Sequence, residues 1–404
     1  MRIEDIKING IENPVGFELD HLKLSWKVRE RVSKKAENIL IEVSDKADFS
    51  KCIWKKQGTN LDCTGEKVRV EPYTRYYCRV TVTGDAGDQG CGTTFFERGK
   101  GKTAWVGKFI STAEEDKFHP VFEKNFQVKS LTGAQEAVIR NGMSEKTASE
   151  KAISEDSALG NAAVENEMGI QKARLYVTGL GVYEAYINGK KAGEDILAPF
   201  CNDYREKIQY QTYDVTDHLL IGQENQISIY CGNGWYKGRL GYEGASQCYG
   251  TRFAAIVELH IWYEDGSETV VATDETWTYR GSDIEMSDLY DGEVLNRQLW
   301  KEKENTAKPV RLIEKDQGTL MGEISLTSSQ LTERYSLPVK VKETLTVQEI
   351  IHTQAGEIVL DMGQNMVGFV EFDSNLPAGT KVILDFGEVL QQGNFYNDNY
   401  RTAK

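Results

Sequence analysis

The sequence predicts an all-β protein built from tandem β-sandwiches. In residues 69–84, Cys78, Val80 and Val82 fall on one face of an alternating pattern, which is typical of a half-buried strand. Residues 22–28 alternate in the same way, and Asn188-Gly189 predicts a type I′ hairpin turn between two further strands. The pattern contains no alternation of strands and helices of the kind that builds a parallel α/β sheet.

Composition and turn signals divide the 404 residues into three units. Residues 1–102 are predicted to form a small sandwich that serves as a spacer. Its tryptophan in an early strand and its Tyr-rich late strand resemble fibronectin type III modules. Residues 103–330 predict an antiparallel jelly roll with an insertion at about 129–169, which is rich in Ala, Ser, Glu and Lys and has no aromatic residue.

The third unit, residues 331–404, predicts a further sandwich. Its first half indicates a strand, a turn and a strand over 358–372, and another strand is expected over 381–386. About 74 residues are few for a sandwich of roughly 100 residues, so we expect this domain to be incomplete. An incomplete sandwich exposes strand edges, which would favour either an oligomer or disorder near the C-terminus.

The charge of the chain limits its partners. With 48 basic and 62 acidic residues the net charge is −14, which argues against a nucleic-acid ligand that would have to meet a basic surface. A neutral ligand such as a carbohydrate is compatible with this charge. No run of about 18 apolar residues occurs, so no membrane partner is expected.

Cysteine and histidine usage indicates a reducing compartment and no metal site. The seven cysteines are odd in number and form no CxxC pair, so we expect free thiols and a cytoplasmic location. The N-terminus lacks the apolar core of a signal peptide. The five histidines are isolated from one another, without the spacing of zinc ligands.

The Gly-rich segment CGNGWYKGRLGYEG, residues 231–244, is the strongest candidate for a functional loop. Its five glycines permit positive φ angles and close approach of a ligand or of another strand. Aromatic and charged side chains stand between them. This composition suits a loop that presents a flat ring and a guanidinium to a sugar. It equally suits a loop that closes the end of a sandwich, with Trp235 in the core and Arg239 paired with an acid.

Two pairs of acidic residues have a spacing that general acid–base chemistry can use. Asp291 and Glu293 are two residues apart, which on a strand places both on one face, and Asp361 and Glu388 form a more distant pair. Acidic side chains are abundant on an acidic surface. We therefore interpret Asp291 as a turn residue and the others as hairpin-edge residues, and assign no catalytic residue.

The order of several motifs resembles the N-terminal region of bacterial α-L-rhamnosidases. These motifs are ARLYVTGLGVYEAYINGKKAGEDILAPF (173–200), DYREKIQYQTYDVTDHL (203–219), GNGWYKGRLGYEG (232–244) and LYDGEVLNRQ (289–298). The segments VLDMGQNMVGFVEF (359–372) and GNFYNDNYRTA (393–403) resemble the next, concanavalin-like domain of these enzymes. The resemblance covers residues 105–404 apart from the insertion.

The resemblance implies both an architecture and an activity. Enzymes of this family join several β-sandwiches to an (α/α)₆ barrel that holds the active site, and they hydrolyse terminal α-L-rhamnose with inversion through two acidic residues. We expect this chain to be the non-catalytic N-terminal part, ending before the barrel. The partners implied are rhamnose-containing glycosides and a C-terminal catalytic domain of the same protein.

The resemblance also implies a sugar-binding role for the Gly-rich segment, because accessory domains of the family are similar to carbohydrate-binding modules. Trp235 or Tyr236 would supply the ring face, and Asn233, Arg239 and Asn188 the hydrogen bonds. Some relatives use calcium there, so calcium is the one cofactor considered, although the glycines beside Asn233 add no oxygen ligand. The alternatives are a stand-alone lectin-like protein and a purely structural spacer.

Overall fold

The computed structural model describes residues 1–19, 21–59, 66–114, 118–129, 169–240, 244–298, 306–377 and 379–400. The predicted insertion at about 129–169, apart from its two end residues, lies outside the described residues. So do Gly241, Tyr242 and Glu243 of the Gly-rich segment. In the part of the chain that is described, no helix is long and apolar enough to cross a membrane.

The first unit is a β-sandwich with its own apolar core. One sheet pairs β1 (Arg2–Ile8) with β2 (Leu24–Arg29); the other contains β3 (Ala36–Ser44), β4 (Cys52–Gly58), β5 (Arg75–Gly84) and β6 (Gln89–Glu97) in the spatial order β4-β3-β5-β6. On β5, Cys78, Val80 and Val82 are buried while the residues between them are partly exposed, which confirms the predicted alternation.

The second unit packs two larger sheets face to face. Its strands are β7 (Ile110–Ser111), β8 (Pro120–Gln127), β9 (Ile170–Leu180), β10 (Val182–Ile187), β11 (Lys190–Lys191), β12 (Ile208–Asp214), β13 (Glu224–Gly232), β14 (Arg239–Leu240), β15 (Ala245–Ser246), β16 (Ala254–Tyr263), β17 (Glu268–Ala272), β18 (Thr278–Gly281), β19 (Ile284–Asp288), β20 (Gly292–Leu295), β21 (Lys308–Pro309), β22 (Arg311–Leu312), β23 (Lys315–Gly318), β24 (Gly322–Ser325) and β25 (Leu331–Glu333). A one-turn helix, α1, spans Gly234–Lys237, and 3₁₀ turns occupy Thr216–His218 and Ser328–Gln330.

The order of these strands confirms the predicted β-sandwich. One sheet runs β11-β10-β13-β8-β18-β21, and the other runs β22-β7-β16-β9-β12-β25 with β17 paired to β16. Fully buried side chains such as Phe122, Ile229 and Trp277 fill the space between the sheets. Asn188 and Gly189 join β10 to β11 with φ angles of 53° and 75°, as the predicted type I′ turn requires.

Strand β25 joins a sheet of the second unit. Leu331 pairs with Ile208 and Glu333 with Tyr210 in a parallel ladder between β25 and β12. Strand β25 lies just beyond the predicted boundary at residue 330, which stays a prediction. Tertiary pairing of this kind leaves no local mark, since a three-residue strand has too little pattern to be read from sequence.

The third unit contains two hairpins. They are formed by β26 (Glu349–His352) with β27 (Ile358–Asp361), and by β28 (Val389–Gln391) with β29 (Asn394–Tyr396); a 3₁₀ turn follows at Asp398–Tyr400. The strand predicted at 358 is confirmed, but those predicted at the end of 358–372 and over 381–386 are wrong. Among the described residues no neighbouring strand runs beside these segments to complete a hydrogen-bonded ladder, so an alternating pattern alone is insufficient.

Buried ion pairs dock the first unit onto the second. Arg174 on β9 donates two hydrogen bonds to Glu97 on β6, with Nε–Oε1 and Nη2–Oε2 distances of 2.5 and 2.8 Å. Arg75 on β5 also contacts Glu97, at 2.9 Å. Arg174 and Glu97 are almost completely shielded from solvent, so this contact is part of the interior rather than a surface contact.

Replacing Arg174 with alanine should lower the free energy of unfolding by about 3–5 kcal/mol, because Glu97 would remain buried without its bidentate partner. Urea denaturation of the 404-residue chain measures this loss. Arg205→Ala is the matched control, since Arg205 pairs with Asp203 on the exposed surface and its loss should change the free energy of unfolding little. Equal losses in the two variants would contradict a structural role for the buried pair.

Candidate functional site

The described part of the Gly-rich segment leaves β13 at Gly232 and turns at once into helix α1. Gly234 opens this turn with φ of 50°, and a Cβ atom there would lie 2.5 Å from the carbonyl carbon of Gly181 and 2.7 Å from the backbone nitrogen of Val182. Only glycine fits both the angle and the space. Gly234 therefore allows the segment to pack closely against the β9–β10 connection.

Tyr236 lies inside the protein. Its ring is fully buried and packs edge-on against Tyr204, with 4.9 Å between ring centroids, while its hydroxyl donates to Asp316 Oδ2 at 3.1 Å. Burial, followed by the charge of Asp316, raises the pKa of Tyr236 far above its usual range. Tyr236 is therefore corrected from a candidate sugar-facing ring to a residue that closes the end of the sandwich.

Trp235 remains partly exposed and lies beside a second aromatic ring. It packs on one side against the apolar cluster around Tyr236. On another it meets Phe200 at a centroid distance of 5.2 Å and an interplanar angle of 55°. Phe200 is 37% exposed. The two rings form an aromatic surface, Trp235–Phe200, of the kind that contacts the C–H face of a sugar.

Phe200 was not among the predicted site residues. Its only sequence signal is an aromatic residue directly after Pro199, at the end of a motif used for the family resemblance. Its φ angle of 75° is unusual for a bulky residue and holds the ring in its observed place. The sequence predicts neither the φ angle of Phe200 nor the distance between its ring and that of Trp235, because the two residues are 35 positions apart.

Arg239 ties the segment to the β19–β20 hairpin. Its guanidinium lies 3.2 Å from Asp291 Oδ1 and over the ring of Tyr290, at 4.9 Å from the centroid. Its backbone N–H donates to Asp288 Oδ2 at 2.8 Å. The side chain is only 12% exposed. Of the two roles left open for Arg239, the structure therefore shows pairing with an acid.

The two predicted asparagines occupy different surroundings. Asn233 precedes α1 and is partly buried, and its Oδ1 atom is shielded from solvent without a hydrogen-bond partner among the described residues. Asn188 is not near the segment. The antiparallel register pairs Val182 with Gly232 but Ile187 with Ile227, so Asn188 lies at the opposite end of β10. Its amide group bonds to Asn225 Oδ1 at 2.7 Å and to the carbonyl oxygen of His218.

His119 connects the strand that delivers the segment to the hairpin beside it. Its Nδ1 atom lies 3.1 Å from the carbonyl oxygen of Cys231, and its Nε2 accepts the backbone N–H of Ser287 at 3.0 Å. This pair of contacts requires the neutral ring with the proton on Nδ1. Burial lowers the pKa of His119 to about 4. The sequence contains no pattern around His119 that predicts this structural role.

Three of the four candidate acids contact other groups of the protein, and the fourth is exposed. Asp291 faces Arg239, and Glu293 lies on the exposed strand β20. Asp361 Oδ1 accepts the backbone N–H of Gly363 at 2.7 Å, and Glu388 accepts from Asn399 at 3.1 Å. Within the described residues, no group of three or more His, Cys, Asp and Glu side chains gathers where it could hold a metal ion.

Family comparisons match the chain in three consecutive segments. Residues 3–102 match the Rha78A-like N-terminal immunoglobulin domain, residues 168–343 the α-L-rhamnosidase N-terminal domain, and residues 351–404 the bacterial α-L-rhamnosidase concanavalin-like domain. The first of these names an immunoglobulin domain where the sequence suggested a fibronectin type III module; both are β-sandwiches.

Individual relatives agree with these matches. An α-L-rhamnosidase of Streptomyces avermitilis is 36% identical over 235 residues, which are 58% of this chain and 22% of that protein. The solved α-L-rhamnosidase of Aspergillus terreus superposes on all of this chain and 43% of its own, with a TM-score of 0.74 and 22% identity. The structure of the Streptomyces avermitilis enzyme complexed with L-rhamnose gives a TM-score of 0.71 at 22% identity, over 100% of this chain and 53% of its own.

Fold and matches together define a class: a multidomain β-sandwich region of the kind that accompanies glycoside hydrolases. More particularly, the chain matches domains of the α-L-rhamnosidases along most of its length, and the resemblance read from its motifs is confirmed. The matched 235 residues span about a fifth of the length of the Streptomyces avermitilis relative.

Lowering the pH from 6.5 to 4 should destabilise the folded chain through His119. The folded state holds this ring neutral, with a pKa of about 4, whereas an unfolded histidine takes up a proton near pH 6.5. The unfolded state therefore binds more protons in this window, and the free energy of unfolding falls with pH by up to about 3 kcal/mol.

Urea denaturation across this pH range, on wild type and His119→Gln, isolates the contribution of His119. The glutamine variant cannot titrate at this position, so its stability should fall less steeply between pH 6.5 and 4. Parallel curves for the two proteins would show that another group accounts for the pH dependence.

Proposed function

We propose that the chain is the N-terminal scaffold of an enzyme that hydrolyses terminal α-L-rhamnose from glycosides. The order of the three matched segments carries this proposal, because three domain models named for rhamnosidases follow one another along the chain and one α-L-rhamnosidase matches 96% of it. Of the four candidate acids, Asp291 faces Arg239, Asp361 accepts a backbone N–H and Glu388 accepts from an amide, while Glu293 is exposed. The catalytic pair therefore belongs to another part of the enzyme, as the family resemblance implies.

The 404-residue chain should release no 4-nitrophenol from 4-nitrophenyl α-L-rhamnoside above the buffer rate, whereas the product of the whole gene should release it readily. Asp291→Asn and Glu293→Gln serve as checks on the chain, since each removes one acid of the nearest pair. Turnover by the chain that either substitution abolishes would overturn its non-catalytic role. Inactivity of the whole gene product on rhamnosides would overturn the enzyme assignment.

A partner for the third unit is part of the same proposal. Large apolar side chains in this unit are exposed, including Val367, Phe369 and Ile383. Soluble proteins seldom leave so many apolar groups in contact with water. This exposure supports contact between the third unit and a catalytic domain of the same protein, with self-association of the chain as the alternative arrangement. We retain a cytoplasmic location, which the free thiols of the described cysteines support.

We further propose that Trp235–Phe200 binds sugar. A sugar-binding module typically offers an aromatic face with hydrogen-bonding groups at its edge. Trp235 and Phe200 supply the face and Asn233 lies two residues before Trp235, while Arg239 on the same segment is paired with Asp291. This surface also favours the lectin-like function as the second candidate, because it does not depend on a catalytic domain.

L-rhamnose should bind the 404-residue chain weakly, and Trp235→Ala or Phe200→Ala should reduce the affinity about tenfold through loss of ring contact. Calorimetric titration with and without calcium measures the affinity and tests the ion at the same time. Tyr400→Ala is the matched control, because Tyr400 is also an exposed aromatic residue but lies in the third unit. Absence of binding by wild type would remove the proposal.

A further inference from the structure

A second candidate site lies where the first two units meet. A cleft of about 590 Å³ opens between strands β5 and β6 of the first unit and β9, β11 and β12 of the second. This volume is within the range of small-molecule sites. Its position separates it from Trp235–Phe200, because β11 lies at the end of β10 opposite Gly232. The cleft is thus independent of the sugar surface proposed above.

The inner wall of the cleft is a set of charges that already satisfy one another. Arg174 holds Glu97 through two hydrogen bonds and lies 2.8 Å from Asp214 Oδ1. Arg75 bridges the same two acids, at 2.9 Å from Glu97 and 3.2 Å from Asp214. These contacts fix the wall before a ligand arrives, which reduces the ordering cost of binding.

The remaining charges of the cleft favour a ligand with one negative group. Four basic and three acidic side chains line the cleft. This gives it an excess of one positive charge in a chain whose net charge is −14. Lys172 is already used, since its Nζ donates to the carbonyl oxygen of Tyr73 at 2.6 Å. Lys190 lies on the short strand β11, and within the described residues no carboxylate pairs with it.

The acidic side chains limit how much negative charge the ligand can carry. Asp214 and Asp217 would repel a compact dianion such as phosphate. Carboxylates accept hydrogen bonds well from hydroxyl groups, and Asp217 lines the cleft with an exposed side chain. Tyr77 adds a partly buried ring to the wall. A polyhydroxylated ring with a single carboxylate matches all of these groups.

We propose that this cleft binds an acidic saccharide of the hexuronate class. The ammonium of Lys190 receives the sugar carboxylate and Asp217 accepts hydroxyl protons, while the paired wall of Arg75 and Asp214 stays fixed beside the ring. Since the two walls belong to different units, a bound saccharide would also hold those units together, and it should raise the thermal midpoint of unfolding.

Calorimetric titration of the 404-residue chain with D-glucuronate, D-glucose and inorganic phosphate tests the proposal. We expect millimolar affinity for glucuronate and weaker binding of the other two. Lys190→Ala should weaken glucuronate binding about fivefold, the effect of one partly exposed ionic contact. Lys191→Ala is the matched control, because the neighbouring Lys191 pairs with Glu184 and does not line the cleft.

The outcomes separate the possibilities. Loss of affinity in Lys190→Ala alone, with Trp235→Ala unaffected, supports a saccharide site in the cleft. Equal binding of glucose would overturn the role of the carboxylate, and tighter binding of phosphate would overturn the saccharide class. An equal effect of Lys190→Ala and Lys191→Ala, or no heat with any ligand, would overturn the site itself.

Discussion

The arrangement of the first two units depends on charged side chains buried where they meet. Lys100, which follows the first sandwich, inserts its ammonium against Glu258 on β16, and both side chains are almost inaccessible to solvent. Burial alone would raise the pKa of Glu258. Hydrogen bonds from His260, Lys100 and the backbone N–H of Gly107 outweigh burial and lower it to about 2. A buried charge is tolerated only with such full compensation, so the two units are held in one relative position.

This docking changes the interpretation of the first unit. The sequence suggested a spacer, yet the unit contributes Glu97 and Lys100 to the interior of its neighbour and one wall to the cleft beside Arg174. Aromatic rings around Lys100 add cation–π contacts that an isolated module would lack. Its Nζ lies 4.7 Å from the ring centroid of Trp105. A sandwich used as a flexible spacer would instead present a small, polar contact.

Local patterns predicted the strands well and the site only in part. Alternation on β5 and the Asn188-Gly189 turn depend on neighbours in sequence, so they can be read directly. Asn188 and Gly232 lie at opposite ends of β10 because of the register between β10 and β13. The contact between Trp235 and Phe200 depends on how two separate loops come together. Charge networks such as Arg174 with Glu97 join residues 77 apart, a distance at which sequence spacing carries no geometric information.

The Gly-rich segment shows why two opposite interpretations were both reasonable. Adjacent residues on one helical turn point in different directions, so Tyr236 enters the core while Trp235 reaches the surface beside Phe200. Gly234 makes this possible, because its conformation lets the chain turn tightly against Gly181. The segment therefore closes the sandwich and presents a ring at once. Packing of Tyr236 fixes α1, and a fixed α1 holds the ring of Trp235 in place without the ordering cost that a free loop would bear on meeting a ligand.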